Sequence, residues 1–208
     1  MSRIVFAAIS PHPPLLLPAN GEDGEKKMVR KTISSLEMLG QKLKEKDPDE
    51  IIISSPHLGW GFDVPLFFLA KEFKKKNVAG AIRTYLAISG EPHDFFQEGE
   101  RISEKLEDGK KYALIASGDL SHHLLESGPY GFKADGPKFD HDLMTSLKER
   151  KTENILKLDE KYPEAGECGL RPISFILGFL NKVNYETEIL SYEFPFGVGY
   201  LVANFTIL

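Results

Sequence analysis

Histidines end three separate apolar segments of the chain, and imidazole is well suited to bind transition metals or to move protons near neutral pH. Two of the segments, Arg3–His12 and Ile51–His57, end in Ser-Pro-His. The third, Tyr112–His123, ends in Ser-Gly-Asp-Leu-Ser-His-His. If the three segments are neighbouring parallel strands, their ends meet at one edge of the sheet, where open α/β sheets build their sites. The pattern therefore predicts a metal or acid–base site at that edge.

Two further candidate ligands, Glu167 and Cys168, lie side by side just before an apolar helix. His12 and His57 with a carboxylate would form the facial triad of non-haem Fe(II) enzymes. The same histidines with a thiolate would suit Zn or Cu better. Both candidates also have a purely structural explanation, since cysteine is often a small buried side chain and glutamate often a helix-start charge. The pattern leaves the third ligand open.

The loop after the third segment supplies candidates for proton transfer. Asp119 can orient an imidazole by accepting a hydrogen bond from one ring nitrogen, or it can cap the backbone of its own turn. His122 and His123 are adjacent, so their side chains point in different directions and at most one faces the site. Residues 58–64 indicate a flexible lip, in which Trp60 is either a stacking wall for a ring-shaped ligand or ordinary packing.

The elements that position these residues alternate between strands and helices. A strand over Arg3–Ser10, a helix over 24–46 and a strand over Ile51–Ser54 form a βαβ unit, whose strands should be parallel. Period-3.6 patterns predict further helices over 92–106, 138–149, 153–158 and 173–180, and apolar runs predict further strands over 81–88, 112–116, 188–194 and 198–205.

Composition sets broad limits on function. The 208 residues are 41% hydrophobic and contain no evident linker, which predicts one domain over 1–208. The net charge of −5 argues mildly against nucleic acid or an anionic membrane as the main partner. Cys168 is the only cysteine, so no internal disulfide can form and a cytoplasmic location is expected.

Taken together, the ordered motifs resemble those of the class III extradiol ring-cleavage dioxygenases (LigB-like), and especially the Memo-like branch of that superfamily. The resemblance covers nearly the whole chain. It depends on Ser-Pro-His-Pro-Pro at 10–14, Ser-Pro-His at 55–57, Ser-Gly-Asp-Leu-Ser-His at 117–122, Gly-Pro-Tyr-Gly at 128–131, Glu-Cys-Gly-Leu-Arg-Pro at 167–172 and Phe-Gly-Val-Gly-Tyr at 196–200. The fold it implies is a single three-layer α/β domain, a mixed central sheet with helices on both faces.

The resemblance also implies roles for individual residues. His12 and His57 correspond to metal ligands, and His122, not His123, corresponds to the family's acid/base, with Asp119 as the residue that could fix its tautomer. The Cys-Gly-x-x-Pro arrangement is Memo-like, with cysteine in place of the dioxygenases' glutamate. This slightly favours Cys168 as the third ligand and keeps Glu167 as the alternative.

The implied activity is a metal-dependent oxidation in which Fe(II) activates O2 and a catechol-type aromatic for ring cleavage. The expected partners are therefore a small aromatic substrate and O2, with Zn or Cu as alternative metals and a homo-oligomer left open. Two other functions are consistent with the same residues. One is a Memo-like metal-binding protein, redox-active or peptide-binding, without ring cleavage. The other is a zinc-dependent hydrolase assisted by His122.

Overall fold

The structure is a computed structural model that describes residues 3–71, 73 and 81–208. The strands of the described chain form a single sheet in the order β3-β2-β4-β1-β6-β5. Their bounds are β1 (Arg3–Ser10), β2 (Glu50–Ser55), β3 (Ile82–Leu86), β4 (Lys111–Ser117), β5 (Tyr185–Glu193) and β6 (Tyr200–Ile207). Strands β3, β2, β4 and β1 are mutually parallel, whereas β6 is antiparallel to both β1 and β5. The predicted mixed sheet is confirmed.

Helices cover both faces of this sheet, as predicted. Helices α2 and α3 pack on one face, and α5 and α8 pack on the other, with α4 against α8. The bounds are α1 (Asp23–Met28), α2 (Arg30–Lys46), α3 (Trp60–Leu69), α4 (Pro92–Ser103), α5 (Asp135–Lys148), α6 (Thr152–Ile155), α7 (Leu158–Lys161) and α8 (Leu170–Leu180). None of the helices in the described part of the chain is both long enough and apolar enough to cross a bilayer.

The central strands are buried on both sides, which explains their continuous apolar runs. Successive side chains of a strand point to opposite faces. Ile51 and Ile53 therefore pack into the core beneath α2 and α3, whereas Ile52 packs into the core beneath α8. All three isoleucines are fully buried.

The prediction of a flexible lip at residues 58–64 is wrong, because most of this segment is helical. Helix α3 begins at Trp60, directly after Gly59, whose carbonyl accepts hydrogen bonds from the backbone N–H groups of Phe62 and Asp63. Pro65 lies inside this helix. Proline has no N–H to donate, so the carbonyl four residues earlier, that of Gly61, is left without its helical partner. That free carbonyl becomes important at the candidate metal site.

Candidate metal centre

Three sheet strands place their carboxyl ends side by side at the candidate site. β4 lies between β1 and β2, so the loops that follow these three strands meet at one edge. His12 follows β1 and His57 follows β2, and their ring centroids lie 5.1 Å apart in an edge-to-face arrangement. The structure thus brings together the two histidines that the Ser-Pro-His motifs had indicated.

The side chain of Cys168 lies close to both histidines. Its Sγ lies 3.7 Å from His12 Nε2, and one donor atom from each of His12, His57 and Cys168 falls within 4.8 Å of the others. Two donors on one tetrahedral zinc ion, with bonds near 2.0–2.3 Å, would be about 3.5 Å apart. The observed spacing of His12 and Cys168 therefore fits a shared first-row metal ion.

A close contact between two loops holds Cys168 in this position. The backbone N–H of Cys168 donates to the carbonyl of Asp119 at 3.2 Å, and the N–H of Asp119 donates to Cys168 Sγ at 3.2 Å. At Gly118 a Cβ atom would collide with the Cα of Gly169. Glycine is therefore required at 118 because the backbone of the cysteine loop lies directly against it.

Substitution of Gly118 by alanine should push the cysteine loop away from His12. We expect a loss of about 1–3 kcal/mol in the free energy of unfolding, as for other overpacked interiors, together with weaker metal binding. Gly24→Ala in α1 is the matched control, because an added methyl group there has no neighbour within 4 Å. Urea unfolding and metal titration of both variants check this, and equal behaviour of the two would contradict it.

The tautomer of His12 follows from a chain of hydrogen bonds that begins in α3. Ser117 Oγ donates to the free carbonyl of Gly61, so its lone pairs face His12 Nδ1, 3.0 Å away. Nδ1 must then carry the ring proton, and Nε2 carries the lone pair that faces Cys168. Metal-binding histidines are commonly oriented in this way by a hydrogen bond at the other nitrogen. The sequence analysis did not identify Ser117 as a partner of His12.

Ser117→Ala should release the His12 ring from this orientation. Loss of such an outer-shell partner typically lowers metal affinity about 10–100-fold, and we expect a change of that size in a metal titration. Ser54→Ala is a matched control, because Ser54 is also fully buried at a strand end but its hydroxyl has no hydrogen-bond partner among the residues that the structure describes. An equal loss of affinity in both variants would contradict the assigned role.

Asp119 and His122 form a second group around the same sulfur. One donor atom from each of Asp119, His122 and Cys168 lies within 4.8 Å of the others. The Asp119 carboxylate is buried and accepts a hydrogen bond from the backbone N–H of His12 at 3.0 Å. Nε2 of His122 is buried and has no hydrogen-bond partner among the described residues. Because His122 also lines the cavity, this nitrogen is available to pair with a bound ligand.

Glu167 lies apart from this group. Its carboxylate accepts a hydrogen bond from the backbone N–H of Leu170 at the start of α8, and it forms an ion pair with Arg171 at 3.3 Å. Burial raises the pKa of Glu167 to about 7. Among the described residues, neither group of metal-ligand atoms includes Glu167, so the structure places Cys168 and not Glu167 beside His12.

The electrostatics of the site suit a bound cation. Burial raises the pKa of the Cys168 thiol well above its ordinary value and raises the pKa of Asp119 to about 6. Burial, followed by the nearby His57, lowers the pKa of His12 to about 3. Among the described residues, the Asp119 carboxylate forms an ion pair with neither lysine nor arginine. A metal ion would provide the positive charge that these buried acidic groups otherwise lack.

These groups open into a cavity of about 340 Å³. The cavity is walled mainly by apolar and aromatic side chains, and Trp60 at its edge is 59% exposed. The ring of Tyr130 lies 5.2 Å from that of His122. Trp60, which the sequence analysis considered as a stacking wall for a ring-shaped ligand, lines this cavity together with Tyr200. The lining residues beyond the metal-binding group include Leu15, Leu58, Trp60, Tyr130, Phe196 and Tyr200.

The chain is similar to a known protein in sequence and to a solved structure in fold. The chain is 30% identical over 261 aligned residues to Protein CA_C1420 of Clostridium acetobutylicum, and the match covers 91% of this chain. The chain spans about half (55%) of the length of that relative. The fold is similar to the crystal structure of the uncharacterized protein JW3007 from Escherichia coli K12, with a TM-score of 0.53 and 13% identity, over 96% of this chain and 99% of that one.

A family model also matches more than half of the chain. Residues 54–203 match the family described as the catalytic LigB subunit of aromatic ring-opening dioxygenase. The matched region contains His57, Asp119, His122 and Cys168, which confirms the family indicated by the motifs. The chain therefore belongs to the LigB family.

Proposed function

We propose that this protein holds Fe(II) at His12, His57 and Cys168 and uses O2 to open the ring of a small catechol-type aromatic. The observation that carries the proposal is the meeting of three metal donors with the unpaired Nε2 of His122 in one aromatic-walled cavity. Membership in a family of aromatic ring-opening dioxygenases supports the same reaction. The free thiol of Cys168 would stay reduced in the cytoplasm, where we place the protein.

The metal and the protein have separate tasks in this proposal. Bound Fe(II) would supply a positive charge that favours the ionised catechol and a redox-active centre for dioxygen. The cavity volume lies near the lower end of the range for small-molecule sites, which suits a single aromatic ring. Its apolar and aromatic walls would pack against the ring and limit its orientation relative to the metal and His122.

The proton transfers fall to His122. Its Nε2 accepts a proton from a hydroxyl group of the bound catechol and later returns it to the ring-opened product. Asp119 lies within the same group of atoms and holds the backbone of His12 through its carboxylate. We assign it a positioning role, since its hydrogen bond fixes the loop that carries the first ligand.

The direct test is turnover by the protein reconstituted anaerobically with Fe(II). Exposure to a catechol and ¹⁸O2 should consume oxygen and yield a ring-opened product that contains both labelled atoms. Protein that binds the metal and the catechol but forms no labelled product would contradict the proposed reaction.

The thiolate donor favours a second candidate function, a metal-binding redox protein without ring cleavage. Thiolates select Zn and Cu(I) more readily than the carboxylate of a facial triad does. Competitive loading of the purified protein with Fe(II), Zn(II) and Cu(I) separates the two candidates. Preferential retention of copper, together with the absence of labelled product, would support the second candidate and overturn the first.

A further inference from the structure

The cavity at the metal site carries no positively charged side chain among the described residues. The described residues that line it include no lysine or arginine, and the one carboxylate among them belongs to Asp119, which is buried. An anionic group on a ligand would therefore find no lysine or arginine to pair with among the described lining residues, and only the metal could balance its charge.

The basic residues in the loops that build the site are already engaged elsewhere. Arg171, three residues after Cys168, donates from its Nε to the carbonyl of Gly90 at 2.8 Å and pairs with Glu167. Lys133, which follows the loop of Tyr130, forms an ion pair with Glu164 at 3.0 Å. Neither cation lines the cavity, and each would have to give up an existing partner to enter it.

The apolar and aromatic side chains that line the cavity are unfavourable for an anion. The aromatic side chains that line the cavity present π faces, which carry partial negative charge and attract cations rather than anions. A carboxylate moved from water to such a surface loses hydration without gaining a charge partner. An uncharged or cationic substituent has no such cost.

We infer that the substrate is a catechol without an anionic ring substituent. This inference rests on the proposed function, since it takes the ligand of the cavity to be a catechol. It narrows the substrate class to neutral or amine-bearing rings and excludes dihydroxybenzoate-type acids.

The experiment compares two ligands that differ only in charge, 3,4-dihydroxyphenylacetamide and 3,4-dihydroxyphenylacetate. Trp60 is the only tryptophan in the chain and lines the cavity, so quenching of its fluorescence reports binding without turnover. The titrations use the Fe(II)-loaded protein under anaerobic conditions. We expect the amide to bind at least about tenfold more tightly than the acid, because the buried carboxylate has no partner.

A charge placed at the cavity rim supplies the second arm. Leu58 lines the cavity and is 73% exposed, so Leu58→Lys introduces an ammonium group without disturbing the core. This variant should improve binding of the acid and not of the amide, whereas the matched Leu58→Gln variant should improve neither.

The outcomes separate the inference from the function on which it rests. Equal affinity for the acid and the amide, or tighter binding of the acid, would overturn the inference alone. Failure of both ligands to bind the metal-loaded protein would overturn the inference and the proposed function together. Tighter binding of the amide without ring opening would support the inference on the cavity and overturn only the proposed reaction.

Discussion

Replacement of His57 by alanine is expected to abolish stable metal binding while leaving the fold intact. The His57 side chain is exposed, so its removal creates no internal cavity, and surface substitutions usually change stability by less than about 0.5 kcal/mol. Loss of an outer-shell partner lowers metal affinity about 10–100-fold. Loss of a direct ligand should lower it further. Elemental analysis after gel filtration and urea unfolding measure the two effects.

Two control variants make this result specific. His141→Ala removes another exposed histidine, on α5, and should retain the metal of the wild-type protein. Glu167→Gln alters the carboxyl group beside Cys168 and should also retain the metal, because that group caps α8 and pairs with Arg171. Retention of metal by His57→Ala, or its loss from Glu167→Gln alone, would contradict the assigned ligands.

His122→Gln is expected to lower kcat about 10²–10⁴-fold without removing the metal, which is the usual contribution of a positioned acid/base group. The substitution keeps a polar side chain of similar length but provides no group that takes up a proton. Turnover is measured as oxygen consumption by Fe(II)-loaded protein with an uncharged catechol, and metal content is measured on the same samples.

The neighbouring histidine provides the matched control. His123 Nδ1 lies 2.9 Å from the carbonyl of Tyr130, and His123 does not line the cavity. His123→Gln should therefore retain kcat within a few-fold of the wild type. Equal losses of activity in the two variants would mean that the loop tolerates no change. They would contradict the assignment of His122 as the acid/base group.

The sequence predicted the sheet well because its central strands satisfy a simple physical requirement. Ile51–Ile53 is buried on both faces, and such a strand must be apolar at every position. The Ser-Pro-His motifs then identified the edge where the strands end, since proline cannot continue the ladder. The arrangement of His12 beside His57 follows from parallel pairing of β1 and β2 with β4.

Other features depend on contacts between distant parts of the chain and were not predictable from local patterns. Residues 58–64 contain two glycines, which favoured a flexible lip, yet packing against the sheet stabilises α3 there. Pro65 leaves the Gly61 carbonyl free, and this carbonyl orients Ser117 against His12. The signal for Ser117 in the sequence was only its position at the end of a buried strand.

The third ligand illustrates the same limit. Glu167 and Cys168 are adjacent, and no periodic pattern distinguishes which of them faces the histidines. The choice depends on where α8 begins: it starts at Leu170, whose backbone N–H donates to the Glu167 carboxylate, and Cys168 faces His12. A start at residue 173, as the sequence had indicated, leaves both orientations open.

X-ray absorption at the metal edge of the loaded protein tests the central claim most directly. With His12, His57 and Cys168 as ligands, the spectrum should require one sulfur scatterer, near the about 2.3 Å of a zinc–thiolate bond, in addition to nitrogen scatterers. The sulfur contribution should disappear in Cys168→Ser. A wild-type spectrum that fits nitrogen and oxygen scatterers alone would contradict the assignment of Cys168 and would return the third position to a carboxylate.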